Sequence, residues 1–175
     1  MRKLSFVAAL LAALALPAVA QDHRVEVFTG YSFARLETPS PDPSNLHGWN
    51  AAVQFNATNW VGMVADFSGH YGQRQLLPGI DRNINTHSAM FGPRVQLPGH
   101  FRPFAHALFG VARGSAGVFG STQSDTAFGM AAGGGLDVGS GRISYRVIQA
   151  DYLMNRFFDR NNNNFRLSTG LVFRF

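Results

Sequence analysis

The chain has 175 residues, enough for one domain, and a formal net charge of +5 at pH 7. It contains no cysteine, which excludes a disulfide framework and any thiolate metal site. Charged residues make up only 14% of the sequence and are scattered along it, so the mild positive charge does not indicate a nucleic-acid partner.

The N-terminus has the pattern of a secretory signal peptide. Residues 1–3 form a short basic head, residues 4–16 are apolar, and residues 18–20 form an Ala-x-Ala end. The apolar stretch is too short to cross a bilayer core of about 30 Å comfortably as a helix. We therefore expect cleavage after Ala20, which removes the charges of Arg2 and Lys3 and lowers the net charge from +5 to +3.

After residue 21, apolar residues alternate with polar or small ones, and helical periodicity is nearly absent. In the first segment, for example, Val25, Val27 and Tyr31 alternate with Glu26 and Ser32. This period of two predicts β-strands. Eight such segments follow one another, near residues 25–33, 49–56, 61–71, 88–97, 102–112, 126–138, 142–154 and 164–175. No segment remains for a second domain.

The connections between the predicted strands alternate between long and short. The long ones are predicted at residues 36–46, 73–85, 113–125 and 155–163, and the short ones at 57–60, 98–101 and 139–141. This alternation is typical of outer-membrane barrels, with long loops outside and short turns in the periplasm. We therefore predict that residues 21–175 form an eight-stranded antiparallel transmembrane up-and-down β-barrel.

The apolar member of each alternating pair is predicted to face lipid. An arginine on the lipid face near the midplane costs about 2–4 kcal/mol, so Arg94, Arg146 and Arg166 are expected inside the barrel. Aromatic residues near the strand ends are candidates for the two interfacial girdles. They are Tyr31, Phe33, Trp49 and Tyr71 at one rim, and Phe55, Tyr145, Phe173 and Phe175 at the other.

One predicted strand, at residues 142–154, breaks the alternation. Strict alternation would place Gln149 and Asp151 in lipid, and Val147 and Ile148 form a doubled apolar pair. A β-bulge at this pair would return both polar side chains to the interior and place Tyr152 outside.

Several ionisable residues on the inward face are predicted to form a charge network in the lumen. Counted from the periplasmic strand ends, Glu26, Asp66, Arg94, His106 and Arg146 fall at similar heights. Since an eight-stranded barrel barely holds its own side chains, we expect a salt-bridged plug in which Glu26 and Asp66 neutralise the two arginines. The alternative is a set of separately hydrated interior charges.

The C-terminal segment, residues 168–175 (STGLVFRF), resembles the assembly signal of outer-membrane proteins through Gly170, Phe173 and Phe175. Together with residues 25–33, 91–94 (FGPR), 103–105 (PFA) and 133–137 (GGGLD), it resembles the OmpA-like outer-membrane β-barrel domain family. The resemblance implies recognition by the barrel-assembly machinery during insertion. Because the sequence ends at Phe175, we expect no periplasmic wall-binding domain.

These observations predict an integral protein of the bacterial outer membrane with a structural or surface-binding role. We expect a monomer without cofactor, metal site or catalytic residues, in contact with outer-membrane lipid and lipopolysaccharide. Arg74, Arg82 and Arg160, in the predicted outer loops, are candidates for contacts with lipid A phosphates. The alternatives are a narrow gated pore and, less favoured, a lipid A-modifying hydrolase that would use His70 with Ser68 on one strand face.

Overall fold

The computed structural model describes residues 24–36, 44–77, 80–118, 121–157 and 160–175. These residues contain eight β-strands: β1 (Val25–Leu36), β2 (Ser44–Asn56), β3 (Val61–Leu77), β4 (Ile80–Gln96), β5 (Phe101–Val118), β6 (Ser121–Val138), β7 (Ile143–Phe157) and β8 (Arg160–Arg174). Each strand pairs antiparallel with its neighbours in sequence, and β1 pairs with β8. The sheet is therefore a closed barrel, and the predicted eight-stranded architecture is confirmed.

No helix in the described ranges is long and apolar enough to cross a membrane. The predicted signal peptide, residues 1–20, lies outside the described residues, and its cleavage stays a prediction.

The strands extend well beyond the predicted segments at the outer end of the barrel. Long loops predicted at 73–85, 113–125 and 155–163 are wrong, because strand pairing continues to Leu77 and Ile80, to Val118 and Ser121, and to Phe157 and Arg160. The polar composition of these segments was interpreted as loop, but a strand outside the bilayer needs no apolar face. Of the first predicted long connection, residues 37–43 lie outside the described residues.

The short connections lie where they were predicted, between β2 and β3, β4 and β5, and β6 and β7. The last of these turns contains Gly139 and Gly141, whose φ angles are 132° and 88°. Side chains larger than hydrogen are strained in this region of φ, so glycine permits the tight reversal. Both described chain ends, Arg24 and Phe175, lie at this end of the barrel, since the backbones of Val25 and Phe175 are hydrogen bonded.

The exterior of the barrel is a continuous apolar surface, as predicted. Phe91, Phe109 and Phe128 are among the large side chains left exposed on it. An apolar surface of this extent is unusual on a water-soluble monomer and fits a lipid-facing band. Of the predicted girdle residues, Tyr31, Trp49, Tyr71, Phe55, Tyr145 and Phe175 are exposed, and Phe33 and Phe173 are half-buried.

The predicted β-bulge in β7 is confirmed. The pairing of β7 with β8 shifts between Arg146 and Gln149, and Val147 and Ile148 are both exposed on the outside. Gln149 and Asp151 are consequently buried inside the barrel, while Tyr152 is exposed. The extra residue therefore keeps two polar side chains out of the hydrocarbon.

Apolar side chains also fill part of the interior, and the alternation predicted this only for Phe28 and Ala52. Eight buried residues contributed by all eight strands form one cluster: Phe28, Ala52, Val64, Met90, Leu108, Ala131, Leu153 and Val172. An eight-stranded barrel is only wide enough for its side chains to fill, and this cluster occupies space that water would need.

Candidate functional site

The candidate site is the set of charged and polar side chains inside the barrel, which we call the lumen network. At its centre lies Arg166 of β8, with 0% of its side chain exposed. Its Nη1 donates to Asp66 Oδ1 at 2.8 Å, and its Nη2 donates to Asp151 Oδ2 at 2.7 Å. Alternation placed Arg166 inside the barrel, but the predicted network did not include it. Its inward position in β8 was the sequence feature that could have identified it as a member.

A second cluster of the lumen network is built on Asp137. Arg146 donates to both of its oxygens, at 2.7 and 3.1 Å, and Arg94 Nη2 approaches Oδ2 at 3.5 Å. The predicted pairing of these arginines with Glu26 and Asp66 is therefore wrong. Heights counted from strand ends ignored the strand stagger and the bulge, which make Asp137 the direct cross-strand partner of Arg146.

Aromatic rings inside the barrel complete the environment of these two arginines. The guanidinium carbon of Arg94 lies 3.4 Å from the ring centroid of Phe104, and that of Arg146 lies 4.2 Å from the centroid of Phe28. A cation over a ring face is stabilised more strongly when water is excluded. The two rings therefore help to hold positive charge in the interior.

The amide side chain of Gln149 connects the two clusters. Gln149 accepts from Arg146 at 2.6 Å and donates to Asp151 at 2.8 Å, and His106 Nε2 lies 2.8 Å from Asp151 Oδ1. Counted over both clusters, three arginines face three aspartates, so the formal charges balance: Arg94, Arg146 and Arg166 with Asp66, Asp137 and Asp151.

The predicted network residue Glu26 belongs to a separate group at the periplasmic end. Its Oε1 accepts from Arg102 at 2.6 Å and lies 3.9 Å from Arg174 Nε. Gln96 also donates to this oxygen, at 3.4 Å. Of the five predicted network residues, the structure therefore brings four into the connected clusters, and Glu26 pairs elsewhere.

At the outer end, the predicted His70 and Ser68 pair is not formed. His70 Nε2 lies 2.9 Å from Ser32 Oγ, and Ser68 is hydrogen bonded to Ser88 at 2.7 Å. Ser32 is fully buried, and the adjoining cavity of about 20 Å³ has room for little more than one water molecule. No group of three or more potential metal ligands occurs among the described residues.

The residues of the predicted assembly signal all lie in or directly after β8. Gly170 faces the interior opposite Gly30 of β1, Phe173 is half-buried, and Phe175 is exposed. Their recognition by the assembly machinery stays a prediction.

A closed barrel with an apolar exterior and a filled, charged interior defines the class of outer-membrane β-barrels. Residues 6–175 match the model of the family described as outer membrane protein beta-barrel domain, and the chain belongs to this family. The OmpA-like family prediction is thereby confirmed, and the protein is placed in the bacterial outer membrane.

Several solved structures share this fold. Ail, the attachment invasion locus protein of Yersinia pestis, is 20% identical, with 87% of this chain and 100% of that chain covered and a TM-score of 0.63. Ail in complex with the heparin analogue sucrose octasulfate gives 20% identity, 85% and 97% coverage and a TM-score of 0.61. Neisserial surface protein A is 15% identical, with 86% of this chain and 97% of that chain covered and a TM-score of 0.65. A comparison with curated proteins gave no significant match.

Proposed function

We propose that this protein is a surface-binding outer-membrane barrel with a closed lumen, and that its outer end binds polyanionic saccharides, lipopolysaccharide first. The observation that carries the proposal is a set of basic side chains on the outside of the wall. We call it the outer rim, and its members are Arg35, His47, His87 and Arg113, all exposed.

The outer rim lies just beyond the apolar band and spans adjacent strands. His87 and Arg113 are direct cross-strand partners, and Arg113 follows the exposed Val111 on the same face of β5. Aromatic neighbours orient the imidazoles: Tyr31 is hydrogen bonded to His47, and the Tyr71 and His87 rings meet edge to face at 5.5 Å. Basic side chains next to the apolar band suit the phosphate groups of lipid A, because arginine binds phosphate bidentately.

The closed lumen supports a binding role over transport. The lumen network and the buried apolar cluster together fill the cross-section, and wide channels need about twice as many strands. The complex of the structurally similar Ail with a heparin analogue also favours sulfated or phosphorylated saccharides as ligands.

The test is the thermal stabilisation of the refolded barrel by purified lipopolysaccharide and by sucrose octasulfate. A ligand that binds only the folded state raises its melting temperature. We expect this shift to be lost in the double variant Arg35→Gln, Arg113→Gln and kept in Arg142→Gln, an arginine exposed at the opposite end. An equal shift in all three proteins would contradict the proposal.

A narrow gated pore is the second candidate, favoured by the continuous hydrogen bonding of the lumen network. The test is planar-bilayer conductance of barrels shown to be folded by their gel mobility without boiling. Silence supports the surface-binding role. Discrete openings that change in Arg146→Gln would replace it with a minor channel function.

A further inference from the structure

The periplasmic end of the barrel contains an open cavity of about 690 Å³. In outer-membrane barrels the end with short turns faces the periplasm. The cavity is lined by Arg24 before β1, by the β2–β3 turn, by the β4–β5 turn and by Arg102 at the start of β5. Its volume is within the range of about 300–1,000 Å³ that is typical of small-molecule sites.

Positive charge exceeds negative charge around this cavity, unlike in the balanced centre of the lumen. Arg24 and Arg102 line it, Arg174 lies beside Glu26, and Glu26 is the one carboxylate among its described lining residues. Arg174 is 3% exposed, and its Nε and Nη2 have no hydrogen-bond partner within the described part of the chain. An excess of buried and partly buried guanidinium groups at an open cavity attracts anions.

The remaining lining groups can bind hydroxyl groups and a ring face. Glu26 is buried and already engaged, because its Oε1 accepts from Arg102, Asn56 and Gln96. Thr58, Asn59 and Gln96 add hydroxyl and amide groups. Trp60, 60% exposed at the cavity edge, offers an apolar ring with one polar edge.

We propose that this cavity binds an anionic saccharide from the periplasm. Its carboxylate or phosphate pairs with Arg24 and Arg102, its hydroxyl groups bond to Thr58 and the amide side chains, and its ring lies against Trp60. Binding of a charged group between two arginines is the strong, oriented contact, and the amide groups discriminate among sugars. This site is separate from the outer rim, which lies at the opposite end of the barrel.

The test uses Trp60 as the reporter. The chain has two tryptophans, so Trp49→Phe leaves Trp60 as the sole source of tryptophan fluorescence. The refolded Trp49→Phe protein is titrated with N-acetylmuramic acid, as a carboxylated sugar, and with glucose 6-phosphate, as a phosphorylated one. N-acetylglucosamine and glucose serve as their neutral counterparts. The anionic sugar that binds with the higher affinity indicates whether the natural ligand is a carboxylated sugar of the cell-wall type or a phosphorylated sugar.

We expect a saturable change in Trp60 emission with at least one anionic sugar and weaker binding of its neutral counterpart. Loss of one charge-assisted contact in Arg24→Gln should lower the affinity by about tenfold. Arg24 precedes β1 and is exposed, so this variant tests binding without disturbing the barrel. The matched control is Arg142→Gln, an exposed arginine at the same end that does not line the cavity.

Three results would overturn the proposal. They are no saturable response to either anionic sugar at millimolar concentrations, equal affinity for the neutral sugars, and an equal loss of affinity in Arg24→Gln and Arg142→Gln. The last would mean general attraction to a positive surface rather than a site.

Discussion

Arg166 lies between Asp66 and Asp151, with all three side chains buried. In Arg166→Gln, two carboxylates would keep their charge in the interior and lose their shared cation. We expect the free energy of unfolding to fall by about 3–5 kcal/mol, the loss seen when one partner of a buried pair is removed. Urea unfolding in lipid vesicles measures this loss. Arg142→Gln, on the surface, should change it by no more than about 0.5 kcal/mol.

The pairing of Arg146 is a second question at the scale of residues. Because Asp137 contacts Arg146 through two hydrogen bonds, a double-mutant cycle of Arg146→Gln and Asp137→Asn should show coupling of about 0.5–3 kcal/mol. The parallel cycle of Arg146→Gln with Glu26→Gln should be nearly additive. A larger coupling energy for Arg146 with Glu26 than for Arg146 with Asp137 would contradict this prediction and support the pairing expected from the sequence.

The bulge in β7 allows a test at the scale of the element, because Val147 is the extra residue opposite β6. Its deletion restores regular pairing and leaves Gln149 and Asp151 facing inward, so we expect the barrel to fold. Deletion of Ala150 instead turns Asp151 toward lipid and takes it away from Arg166, and this protein should not reach the folded form. Gel mobility without boiling distinguishes the two. Failure of the Val147 deletion alone would mean that the bulge supplies a twist that the closed sheet requires.

Two residues at the C-terminal end, Gly170 in β8 and Phe175 directly after it, are expected to serve different purposes: close strand packing and recognition during assembly. A Cβ added to Gly170 would lie 2.3 Å from the Thr29 carbonyl oxygen and 2.5 Å from the Gly30 Cα, so these two strands approach too closely for a side chain here. Gly170→Ala should therefore destabilise the purified barrel by about 1–3 kcal/mol, as overpacking does. Removal of Phe175 should leave refolding of the purified protein intact and lower the amount assembled in cells. If removal of Phe175 impaired refolding of the purified protein as much as assembly in cells, Phe175 would have a packing role and would not be a recognition signal.

For the molecule as a whole, alternation was sufficient to predict the membrane-spanning part of the strands, their faces and the bulge, because lipid accepts only apolar side chains on one side of every strand. The outer extensions of the strands were missed because they lie beyond the lipid and need no apolar face. It could not predict the ion pairs, which depend on stagger between strands, as Arg146 with Asp137 illustrates. Apolar interior residues such as Leu108 were also missed, since a filled lumen tolerates both kinds of side chain. The cavity beside Arg24 depends on the β2–β3 and β4–β5 turns coming together in space with the start of β1, which the sequence does not show.

The long paired strands at the outer end place the strand ends well above the bilayer. In β5, seven residues follow Val111, the last large apolar residue known to be exposed among those of described burial, before the described strand ends at Val118. At about 3.3 Å per residue and a tilt of about 40°, they raise the strand end roughly 18 Å above the hydrocarbon. A partner that reaches only the hairpin tips would therefore be held at a stand-off distance from the bilayer. Shortening β5 and β6 in matched two-residue steps would bring that partner closer without altering either face of the barrel.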